Sequence, residues 1–125
     1  MTASSGIIHQ EMPQKYNGLM QGFQLWLNLP AKKKMIGSKN RGIERYQIPV
    51  VKKNGTNIKP IAGKIGEAEG PVRDLAITIE YFDVELALKT VFEHATPKNC
   101  TTFAYVVDGS IDLIGKTITE IDMRF

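Results

Sequence analysis

The chain has 125 residues, of which 42% are apolar and 8% aromatic, a formal charge of +3 and a single cysteine. That length and composition exclude a disordered polar tail and fit one domain able to bury a core. No apolar run approaches the roughly 20 residues that cross a bilayer, and the N-terminus lacks the basic and apolar regions of a secretory leader. The expectation is a cytoplasmic protein with no membrane association, and the lone Cys100 agrees, because small secreted domains pair their cysteines. Nothing in the sequence sets a base beside Cys100, which reads as a small apolar filler rather than a nucleophile.

In chain order, the first feature is "SSGIIHQEMP", Ser4 to Pro13. In an extended strand residues two apart share a side, so His9 and Glu11 project together and Ile8 and Gln10 face away. "GFQLWLNLP" then alternates, with Phe23, Leu25 and Leu27 on one face and Gln24, Trp26 and Asn28 on the other; it predicts a half-buried strand ended by Pro30. "PAKKKMI" can make one helical turn with Pro30 near its start. "YQIPVV", "NIKPIAG", "AITIEYF" and "VELAL" are short β-rich runs, separated by "KKNG" and by the acidic, Gly-rich "GKIGEAEGP". Prolines inside or beside these runs predict that some are edge strands or loop entries. In "TTFAYVVDGSIDLIG" two alternating runs flank Asp108-Gly109, a dipeptide suited to a two-residue hairpin turn. The fold class is all-β with little helix, a barrel or sandwich of short strands.

Charge is unevenly spread. Between Lys32 and Lys64 lie eight Lys and two Arg against Glu44 alone, whereas the remainder is net acidic. Such a block can attract phosphate backbones, an acidic partner or the acidic parts of a second copy. A solvated loop region is the plainer reading. It is preferred over nucleic acid because Tyr46 is the only aromatic interleaved there to stack on bases.

An imidazole and a carboxylate on one strand face are two donors of the kind transition metals favour. H-x-E also arises by chance, so a solvated or hydrogen-bonded pair stands beside the metal reading. The other histidine, in "FEHATPKN", reads as a surface residue.

"GIIHQEMP", "GLMQGFQLWLNLPAKKKM", "RYQ", "IAG", "GPV" and "FAYVVDGSIDL" follow one another in an order that resembles pirin, the two-domain family of the cupin superfamily. The resemblance implies a partial double-stranded β-helix. Residues 1–65 would be the end of an N-terminal cupin barrel with a basic linker region, and residues 66–125 the start of a C-terminal barrel. It also implies a mononuclear non-haem iron and, in some members, quercetin oxidation; other members regulate transcription through protein partners. His9 and Glu11 match the last histidine and the glutamate of the family's three-His, one-Glu set.

The sequence departs from that pattern where the family carries an H-x-H motif on an earlier strand, for it has no such segment, and "GSKNRGIE" is longer than its counterpart. It reads as the middle of a pirin. A non-haem iron site commonly needs at least three protein ligands, so two are too few unless a second copy or another chain adds more. Two functions follow as expectations. One is a non-catalytic interaction or regulatory module retaining half of an iron site; the other is a quercetin 2,3-dioxygenase-like enzyme completed by oligomerisation or a separate chain. Open barrels expose strand edges, which predicts a homo-oligomer or a protein partner.

Overall fold

Asn54-Gly55 builds the first hairpin. Both residues take positive φ angles, 48° and 76°, as a type I′ two-residue turn requires. The turn joins β1 (Val51–Lys53) to β2 (Thr56–Ala62), with Val51 opposite Ile58 and Lys53 opposite Thr56. This computed structural model describes residues 1–12, 17, 18, 20, 22–113 and 116–119.

β5 (Tyr81–Leu86) pairs antiparallel with the other side of β2, giving the order β1-β2-β5. Strand alternation gives β2 two unlike faces. Thr56, Ile58, Pro60 and Ala62 point inward and are buried, and the Ile58 side chain alone contributes about 2 kcal/mol of apolar burial. Asn57 and Lys59 point outward beside Glu85 and Asp83 of β5. Lys59 Nζ lies 3.1 Å from Asp83 Oδ2 and 2.7 Å from Glu85 Oε1, and Asn57 Nδ2 donates to Glu85 Oε2 at 3.1 Å.

The acidic Gly-rich stretch folds back as a small hairpin of β3 (Lys64–Ile65) and β4 (Ala68–Glu69), turned by Gly66 at φ 55°. The chain beyond it runs alongside β2. Gly70 N–H donates to Gly63 O at 2.9 Å, Val72 N–H donates to Ile61 O at 3.1 Å, and Ala62 and Val72 form a parallel bridge.

Two compact units result, Met1–Phe92 and Glu93–Phe125. The stretch around Gly66 lies inside the first, because β2 and β5 pair across it. In the second unit β6 (Ser110–Leu113) pairs antiparallel with β7 (Lys116–Thr119), and Val106 is buried. The architecture is all-β and antiparallel, a partial cupin-like fold, with one-turn 3-10 segments at Ala31–Lys33 and Arg45–Gln47. The first of these follows Pro30, as its sequence predicts. Among the described residues no helix is long and apolar enough to cross a membrane.

"NIKPIAG" forms a strand, as its β-rich run predicts, and it is the central one although it holds Pro60. β1 begins at Val51, opposite Ile58, so among the described strands only β5 pairs with β2 at Pro60, and the register shifts between Pro60 and Ala62. Three expectations are corrected. "GFQLWLNLP" forms no strand over its described residues, and Phe23, Leu25, Trp26 and Leu27 are all exposed. Asp108-Gly109 does not make the expected hairpin: only Gly109 has positive φ, and the paired strands lie on the far side of it. Cys100 is exposed and fills no core.

Candidate metal centre

The N-terminal segment is anchored before it reaches His9. Thr2 N–H donates to Lys39 O at 2.7 Å and Lys39 N–H donates to Thr2 O at 2.9 Å. A tight turn follows, in which Gly6 N–H donates to Ala3 O at 2.8 Å and Gly6 takes φ 123°. Ile7 to Glu11 then run free of regular structure.

His9 and Glu11 converge there, with His9 Nε2 lying 3.7 Å from Glu11 Oε1. Both side chains remain open to solvent, His9 at 39% and Glu11 at 68% of full exposure, so a dissolved cation can reach either. Bonds of about 2.1 Å to nitrogen and oxygen allow two donors on one ion to stand up to about 4.2 Å apart. The donor chemistry and spacing therefore fit two positions of a transition-metal set. The number does not complete one: among the described residues no group of three or more His, Cys, Asp or Glu could hold a metal ion.

Two residues that the H-x-E pattern did not include extend the cluster. Gln24 Nε2 donates to Glu11 Oε1 at 3.0 Å, and Trp26 Nε1 donates to Gln24 Oε1 at 3.2 Å. Their signal was in the sequence, since alternation already placed Gln24 and Trp26 together on the side away from Phe23 and Leu25. What it could not say was that this side meets Glu11. His94 is half-buried and belongs to the second unit.

The basic middle is partly neutralised within the first unit. Lys59 meets Asp83 and Glu85, and Lys64 lies 3.8 Å from Glu69, whereas Lys33 donates to the uncharged carbonyl of Ala76. The hydrogen bond from Lys59, followed by that from Asn57, holds the Glu85 carboxyl below the usual range. The bonds to Glu85 and then Asp83 raise the Lys59 ammonium above its own.

No protein-family model matches the chain. No solved structure matches it. Curated relatives do. A Caulobacter vibrioides pirin-like protein is 38% identical over 128 residues, covering 100% of this chain and 46% of the relative. A Pseudomonas aeruginosa protein, named as a candidate quercetin 2,3-dioxygenase, is 36% identical over 126 residues, 97% of this chain and 44% of the relative. An Arabidopsis thaliana protein, named as a candidate pirin-like protein, is 39% identical over 109 residues, 87% of this chain and 39% of the relative. The chain spans less than half the length of these three relatives. It thus matches the pirin family, over nearly all of its own length and part of theirs.

Proposed function

We propose that this chain acts as a pirin-like interaction or regulatory module without turnover of its own, and that His9 and Glu11 are two donors of a transition-metal site. One observation carries the reading. His9 and Glu11 converge to 3.7 Å, yet among the described residues no third His, Cys, Asp or Glu joins them. A two-donor arm binds a cation weakly and supplies too few protein ligands for a catalytic non-haem iron.

The sheet edges support association with another chain. β1 and β5 flank β2, and among the described strands neither has a partner on its outer side. Such edges template strand addition by a second copy or by a partner protein. Ile8, Met12, Phe23, Trp26 and Leu27 add exposed apolar surface in the same unit.

The second reading is a quercetin 2,3-dioxygenase-like activity in which another polypeptide completes the donor set. The names of the Pseudomonas aeruginosa and Thermoplasma acidophilum relatives favour it, as does the convergence of the two donors. Iron, when bound, would supply the redox chemistry with dioxygen; the chain's own part would be to present His9 and Glu11 to that ion. Metal analysis of the purified chain, with oxygen consumption on a flavonol, decides between the first reading and completion of the site by a second copy. Substoichiometric iron and no oxygen uptake is the result expected. One iron per chain or per dimer with flavonol-dependent uptake overturns the non-catalytic reading.

A further inference from the structure

We propose that Gln24 is a positioning residue which, oriented by Trp26, holds the Glu11 carboxylate beside the His9 imidazole as a preset arm for one cation. The inference rests on the reading of His9 and Glu11 as metal donors and adds what sets their geometry.

Hydrogen-bond polarity orders the chain of contacts. The indole N–H can only donate, and an ionised carboxylate can only accept. A primary amide between them has one arrangement that satisfies both, with its oxygen toward Trp26 and its NH2 toward Glu11, and that is the arrangement at 3.2 and 3.0 Å. The flipped amide would set N–H against N–H and oxygen against oxygen. Trp26 and Glu11 therefore favour the same orientation of Gln24, and Trp26 holds its amide oxygen away from the carboxylate.

Glu11 needs such a hold. It is largely exposed and has three rotatable side-chain bonds, so a free carboxylate would lose rotamer freedom each time it closed on a cation. The oxygen that accepts from Gln24 is the one 3.7 Å from His9 Nε2, and a carboxylate oxygen has a second lone pair to offer. Partners of this kind commonly change metal affinity 10–100-fold when removed. Trp26 is the only tryptophan in the sequence, so its indole N–H gives a single, assignable signal.

The test uses the full chain, with Ni2+ as probe and calorimetry as readout. Saturable Ni2+ binding by the wild type, abolished in His9→Ala, is expected. Gln24→Ala should weaken binding at least tenfold and Trp26→Phe several-fold, with the β-sheet signal in circular dichroism unchanged. In the metal-free chain, Glu11→Ala and Gln24→Ala should each shift the Trp26 indole N–H resonance. Wild-type affinity in Gln24→Ala, with His9→Ala dead, overturns the positioning role and leaves the donor reading standing. An indole signal unmoved by both substitutions overturns the relay without reference to metal. Absent Ni2+ binding by the wild type, or equal binding by His9→Ala, overturns the donor reading and the cation arm with it.

Discussion

Replacing Gly70 with alanine tests how the chain beyond β4 is held against β2. A Cβ built at Gly70 would lie 2.5 Å from both the carbonyl carbon and the oxygen of Ile61 and 2.8 Å from Ala62 N, whereas such contacts become ordinary at 3.4 Å. These are backbone atoms of the central strand, and no rotamer change relieves the clash. Gly70 is not among the glycines with positive φ, so the cost is the contact itself. Forcing the segments apart strains packing by about 1–3 kcal/mol. It also stretches the Gly70 to Gly63 and Val72 to Ile61 hydrogen bonds, each worth about 1 kcal/mol net. The expected loss is about 3 kcal/mol, or roughly 12 °C and more in the melting temperature of a unit this size. Gly66→Ala is the control: its site is open and its φ of 55° costs an L-residue only about 1 kcal/mol. Thermal melts by far-ultraviolet circular dichroism compare the two. A Gly70→Ala chain as stable as Gly66→Ala would refute the close approach of these segments.

Other substitutions probe the same sheet. Ile58→Ala removes the most buried large aliphatic side chain of β2 and should cost about 2–4 kcal/mol in denaturant unfolding; a loss below about 1 kcal/mol would mean this face is not packed. Thr56 is 4% exposed and its hydroxyl has no hydrogen-bond partner among the described residues, so Thr56→Val should raise stability by about 1 kcal/mol. A destabilised Thr56→Val chain would show that the hydroxyl is satisfied. The charge ladder predicts pH dependence at both extremes. Glu85 is more acidic when folded, so its contribution is full above the unfolded carboxyl value of about 4.3 and is lost as pH falls through the folded value. Lys59 is more basic when folded, so its contribution is full below the unfolded lysine value and is lost as pH rises through the folded one. Lys59→Met should flatten both limbs of a plot of denaturation midpoint against pH; unchanged limbs would refute the pairing.

Period-two alternation was enough to read an all-β chain, to place His9 beside Glu11, and to group Gln24 with Trp26. Each of these depends only on which side of an extended backbone a residue occupies. The sequence marked Asp108-Gly109 as a hairpin turn and "KKNG" only as a separator, yet it is Asn54-Gly55 that adopts positive φ at both positions. Beside that turn, β2 also pairs with β5, with Ala62 opposite Tyr81 and Thr56 opposite Leu86. Proline within "NIKPIAG" allowed an edge strand or a loop entry, and the run is central, with β5 alone among the described strands pairing at Pro60. Similarly, nothing local in "GFQLWLNLP" foretold a segment outside the described sheets. The H-x-E pair, in the same way, was visible as two donors on one side from the sequence alone. Glu11's partner Gln24 comes from thirteen residues away, where a hydrogen bond at 3.0 Å depends on how two segments outside the described strands lie against each other. Local stereochemistry determines the side a residue takes; only tertiary contact decides what that side meets.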